Sequence, residues 1–105
     1  MQDFRKLVVW RQAHEMTLRI YGETTTFPLE ERFGLSSQMR RSASSIPTNI
    51  AEGCGRGTDP DFARFLRIAL GSASELEYLL ILATDLGYLA PCVSRDLLEQ
   101  TQAVK

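Results

Sequence analysis

Apolar side chains recur along this chain three and four residues apart, the spacing of helices that bury one face. Trp10, Ala13, Thr17, Ile20 and Tyr21 trace one face of a first helix predicted over residues 8–23. Gly22 and the run Thr24-Thr25-Thr26 weaken it, Phe27-Pro28 marks a break, and residues 29–33 can make one turn before Gly34. Leu35, Met39, Ala43, Ile46 and Ile50 form one stripe of a second helix over 35–55. Pro47 falls inside it. Proline lacks an amide proton and crowds the carbonyl four residues back, which predicts a kink between residues 43 and 47. Gly53, Gly55 and Gly57 then make continuation costly.

Thr58-Asp59-Pro60-Asp61 reads as a helix start, with a capping hydroxyl, an early proline and acids in the first turn. Phe62, Phe65, Leu66, Ala69, Ala73, Leu76, Leu80 and Ala83 form the seam of a third helix over 59–86, stopped by Gly87. After Pro91, Val93, Leu97, Thr101 and Val104 repeat along a fourth helix over 92–105. No β-alternation of useful length occurs. Short connections make neighbouring helices antiparallel, so the expected fold is all-α: an up-and-down four-helix bundle with a kinked second and a short fourth helix. Trp10, Met39, Ile46, Ile50, Phe65, Leu66, Leu76 and Leu80 are expected in its core.

Two features of the third helix bear on function. Ile68, Gly71, Glu75, Leu79 and Leu82 fall on a second stripe away from the core seam, and in so small a domain that stripe is expected to meet another subunit, the alternative being that the fourth helix or a loop covers it. The fourth helix, about 20 Å long at 1.5 Å per residue, also covers only half of a third helix of about 40 Å. Gly71 lies mid-helix, where it costs about 0.5–1 kcal/mol relative to alanine, so close approach of another helix is the expected return.

The chain has 105 residues, 44% apolar and 24% charged, which fits one folded domain with a single core. It has no apolar run long enough to span a bilayer, and its N-terminus lacks the features of a secretion signal, so a cytoplasmic location and no membrane partner are expected. Net charge is −1, but Arg40, Arg41, Arg56, Arg64 and Arg67 outweigh Glu52, Asp59 and Asp61 over residues 36–67. Ten of the twelve basic residues are arginine, the side chain suited to bidentate pairing with carboxylate or phosphate.

The richest polar segment runs along the second helix, where Arg41, Ser45, Thr48, Asn49, Glu52 and Arg56 flank the apolar seam. It reads either as a polar pocket or as a satisfied network bracing the proline, because so many polar groups beside a core need mutual hydrogen bonds. Catalysis is not expected. His14 is the single histidine and reads as a packing residue, while Glu75 and Glu77, two apart on a helix, point to different faces. Cys54 and Cys92 are isolated and expected to be reduced and partly buried, and no metal, cofactor or small-molecule substrate is expected.

The segments Trp10-Arg11-Gln12-Ala13-His14, Phe27-Pro28, Gly34-Leu35, Ser37-Gln38-Met39-Arg40-Arg41-Ser42, Ile46-Pro47-Thr48-Asn49-Ile50-Ala51-Glu52-Gly53 and Ala69-Leu70-Gly71-Ser72-Ala73-Ser74-Glu75 resemble the family of four-helix 23S ribosomal RNA intervening-sequence proteins. The resemblance covers about residues 7–90. It implies a homo-oligomer, with a pentameric ring as in the related accessory variability protein of diversity-generating retroelements, which binds nucleic acid and its reverse transcriptase through a basic surface. It implies no catalytic role for the matching Asn49, Glu52 or Glu75. It also implies a longer fourth helix than the one ending at Lys105. Two function classes follow: a scaffold that contacts phosphates of structured RNA, DNA or a ribonucleoprotein through the five arginines, or an oligomer in which those arginines pair with Glu52, Glu75 and Glu77.

Overall fold

The computed structural model describes residues 3–105. A 3₁₀ turn at Phe4–Lys6 leads into α1 (Val8–Thr24), a second such turn at Leu29–Glu31 precedes α2 (Leu35–Arg56), and α3 (Asp59–Asp85) and α4 (Pro91–Ala103) follow. No strand occurs among the described residues. α2 packs against α1 and α3, α4 packs against α3 and α1, and among the described residues the backbones of the diagonal pairs are not neighbours. That closed cycle of neighbours is a four-helix bundle.

The helix ends follow their local chemistry. Thr58 caps α3 by accepting the Asp61 amide, Asp59 and Asp61 sit at the positive end of its dipole, and Pro60 fills a position that needs no amide proton. α2 ends where Gly57 turns left-handed at φ 84°, and Gly87 does the same beyond α3 at φ 82°. At the start of α2, the Glu31 carboxylate accepts the Leu35 amide through one oxygen and the Tyr88 hydroxyl through the other. One side chain thereby joins the α1–α2 turn to the α3–α4 turn. That hydrogen bond to the Glu31 carboxylate holds the Tyr88 phenol above its ordinary pKa.

Met16, Ile20, Met39, Ile46, Ile50, Leu76, Leu80 and Leu97 are the large apolar side chains fully withdrawn from water. Trp10 and Leu66 pack half-buried against this core. Tyr21, assigned to the first seam from spacing, is exposed, while Met16 and Thr24 take the inward positions. Leu79 is also a correction: at 5% exposure it lies in the core, with Leu82 packed half-buried beside it. Leu79 is therefore not free to meet a second subunit, whereas Ile68, Gly71 and Glu75 of the same stripe are exposed.

Pro47 stands inside α2, and the helix runs through it to Arg56. The Ala43 carbonyl, deprived of its usual amide, accepts the Thr17 hydroxyl of α1 at 3.1 Å, a proton shared with the Ala13 carbonyl at 2.8 Å. Gly53 and Gly55 are likewise helical, and they differ in surroundings. A Cβ at Gly53 would lie 3.0 Å from both Phe62 Cδ1 and Phe65 Cβ, so α2 and α3 approach closely there, whereas a Cβ at Gly55 would meet nothing within 4 Å. Gly53→Ala is therefore expected to destabilise the fold by about 1–3 kcal/mol through overpacking. Gly55→Ala is expected to stabilise it by roughly 0.5–1 kcal/mol through helix propensity. Urea denaturation of the two variants checks the contrast in sign.

Candidate functional site

The polar flank of α2 divides: Thr48 and Glu52 lie on the α1 side, while Arg41 and Ser45 face α3 and line a groove of about 490 Å³ with Gln38, Ser42, Ser72 and Glu75. Its floor is braced. The Ser45 and Ser72 hydroxyls meet at 2.8 Å across the two helices, and Asn49 donates to the Ser45 carbonyl and hydroxyl at 2.7 and 3.0 Å. Satisfied hydroxyls and an amide lie below, and Arg41 and Glu75 stand at the rim. Among the described residues neither Arg41 nor Glu75 forms an ion pair. Ser72 belongs to a segment that carries the family resemblance, but its pairing with Ser45 comes from tertiary packing.

The five arginines do not form one cluster. Arg40 is half-buried and turned to α1, donating to the Thr24 hydroxyl at 2.8 Å and the Tyr21 carbonyl at 3.2 Å, with its guanidinium 4.8 Å from the centre of the Tyr21 ring. It fastens α2 to the end of α1. Arg56 pairs with Glu52 at 3.6 Å and Arg64 with Asp61 at 3.9 Å, and both guanidiniums lie on the Phe65 ring, at 5.0 and 4.6 Å. Arg67 is exposed, one turn further along α3 from Arg64. Arg56, Arg64 and Arg67 therefore share the α2–α3 end of the bundle, Arg41 lies midway along the groove, and Arg40 is structural. Glu77 does not meet an arginine. It accepts from Lys105 and Gln102 of α4's end, and the Lys105 hydrogen bond holds its carboxyl below the ordinary value near 4.5.

The outer face of α3 differs from the stripe expected for it. Leu70, Tyr78 and Ile81 are 38%, 60% and 49% exposed and, at 100° per residue, share a face with Gly71 and Ser74. Ile68, 42% exposed, lies at its edge. Spacing from Gly71 could have found this face: Ser74, Tyr78 and Ile81 follow at three, four and three residues. A Cβ at Gly71 would meet nothing within 4 Å, so nothing within the chain calls for a glycine there.

His14 is exposed and stacked on Trp10, with ring centroids 5.1 Å apart and planes 9° from parallel. Cys54 is buried, and burial pushes its thiol up, whereas Cys92 is exposed rather than partly buried. Among the described residues no three His, Cys, Asp or Glu side chains converge as a metal site, and no helix is long and apolar enough to cross a membrane.

The family model of the 23S rRNA-intervening sequence protein matches residues 5–105. The chain belongs to that family. A solved structure from Bacteroides thetaiotaomicron, described as a protein of unknown function from the S23 ribosomal protein family, is 29% identical, with a TM-score of 0.82 over 92% of this chain and 91% of that one. No curated protein matches. The likeness covers both helical hairpins, so in this intervening-sequence family protein the α2–α3 groove and the outer face of α3 sit on a shared framework.

The arginines separate by stability. Arg40→Ala is expected to lower unfolding free energy by about 1.5–3 kcal/mol, because it removes charged hydrogen bonds from a half-buried joint. Arg67→Ala is expected to stay within about 0.5 kcal/mol of wild type. Thermal unfolding of the two variants checks this.

Proposed function

We propose that this protein is a non-enzymatic scaffold that assembles with copies of itself through the outer face of α3 and contacts phosphates of structured RNA or DNA through Arg41, Arg56, Arg64 and Arg67. The observation that carries the reading is that face: Leu70, Tyr78 and Ile81 exposed beside a glycine that the chain's own packing does not require. A helix interior that bears glycine without an internal neighbour gives up about 0.5–1 kcal/mol, and a second helix crossing there would return it as close contact. The resemblance implies a pentameric ring. Subunits that bring their α2–α3 ends together would multiply a modest basic patch into an extended one, which offsets a net charge of −1 per chain.

The phosphate half of the reading is supported by Arg41 and Arg67, which have no ion-pair partner among the described residues, and by the exposed, easily exchanged pairs of Arg56 and Arg64. The family's name points the same way. A second reading, a structural oligomer without nucleic acid, is favoured by those same Glu52–Arg56 and Asp61–Arg64 pairs.

Light scattering at micromolar concentration is expected to give a multiple of the 11.8 kDa chain mass. Gly71→Ala is expected to raise the stability of the dissociated chain by up to about 1 kcal/mol while weakening assembly. A monomeric wild type overturns the assembly reading. Titration with structured RNA at two salt concentrations is expected to give affinity that falls steeply with salt, and Arg64→Ala should flatten the slope by about one unit. Absence of binding at low salt leaves the structural oligomer.

A further inference from the structure

On the neighbouring side of α2, α1, α2 and the N-terminal 3₁₀ turn enclose an open groove of about 580 Å³. Phe4, Trp10 and His14 form one wall and Pro47 and Ala51 lie across from them, with Thr17, Ser44 and Thr48 between. The aromatic wall is ordered by its own contacts: Phe4 meets Trp10 edge-on at 5.0 Å, and His14 stacks nearly parallel on Trp10 at 5.1 Å. Among the described residues Glu52 is the one carboxylate in the lining, and no lysine or arginine lines it. Glu52 gives one oxygen to Arg56 at 3.6 Å, on a side chain about half exposed, while its other oxygen has no partner among the described residues. Arg56 is drawn the other way, onto the Phe65 ring of α3.

We propose that this groove is a binding site for an arginine side chain presented by a protein partner. Aromatic ring faces attract cations and stack on planar ones, and a carboxylate with a free oxygen accepts the paired N–H groups of a guanidinium. Lysine offers neither the plane nor the fork. The carboxylate of Glu52 disfavours a phosphate inside the groove, although Arg56, its ion-pair partner, lies beside it on the α3 side. The two sites therefore divide their ligands by charge: a basic peptide on the α1–α2 side, an anion along α2–α3.

Trp10 is the only tryptophan in the chain, so its fluorescence reports this groove alone. The probe is a short peptide with one arginine between glycines, blocked at both ends, titrated into the full chain. It is expected to change Trp10 emission saturably, and the same peptide with citrulline, planar but uncharged, is expected to bind at least fivefold more weakly. Glu52→Gln should weaken the arginine peptide by a similar factor, while Glu99→Gln, on exposed α4 surface, should not. Circular dichroism confirms that both variants remain helical. Equal binding of arginine and citrulline peptides, or unchanged binding by Glu52→Gln, overturns the proposal. So does a response to guanosine or single-stranded RNA but not to the peptide, which would make the groove a base-stacking platform.

Discussion

Pro47 leaves the Ala43 carbonyl without the amide that a helix would bring to it, and that carbonyl is buried between α1 and α2. A buried acceptor left unpaired costs about 1–3 kcal/mol, so something must reach it. Thr17 does, and in doing so it fixes where α1 lies along α2. The rest of the seam follows from that register. Met16 and Ile20 fall inward, Thr24 arrives beside Arg40, and Trp10 and His14 come to stand across from Pro47 and Ala51. The rigid ring of Pro47 is thus both the source of the unsatisfied acceptor and part of the aromatic groove's opposite wall.

On the other side of α2 the constraint is distance rather than hydrogen bonding. Gly53 lets the helix come against Phe62 and Phe65, and the Ser45–Ser72 contact closes the same interface further along. With its two flanks committed in this way, α2 carries most of the molecule's specificity. α3 is left with an inner face that fills the core and an outer face that the chain leaves open. α4, 13 residues against 27, is too short to cover all of α3.

Helix number, ends and most core positions were legible from spacing, because capping residues, glycines and the 3-4 repeat are local signals. Thr58 and Gly87 act as read, and Met39, Ile46, Ile50, Leu76 and Leu80 are buried as read. The errors all concern which side of a helix meets a neighbour. Leu79 lies about 40° from the edge of the core seam on a helical wheel, and only tertiary packing decides that it is interior. Arg40 and Arg41 are adjacent in sequence and alike in chemistry, yet one is tied to α1 and the other faces α3, since neighbours on a helix diverge by 100°. The aromatic groove was illegible for the same reason: Trp10 and His14 were visible as a pair, but their position opposite Pro47 and Glu52 comes from tertiary packing.

The central claim is that the Thr17 hydroxyl serves the carbonyl orphaned by Pro47, and a double-mutant cycle measures that dependence. Thr17→Val strands the Ala43 carbonyl, whereas Pro47→Ala returns an amide at position 47 that can receive it. Urea unfolding of wild type, both single variants and the double variant is expected to give a coupling of about 1 kcal/mol or more, with Thr17→Val costing less in the Pro47→Ala background. Additive effects, within about 0.5 kcal/mol, would contradict the account and make Thr17 an ordinary buried threonine.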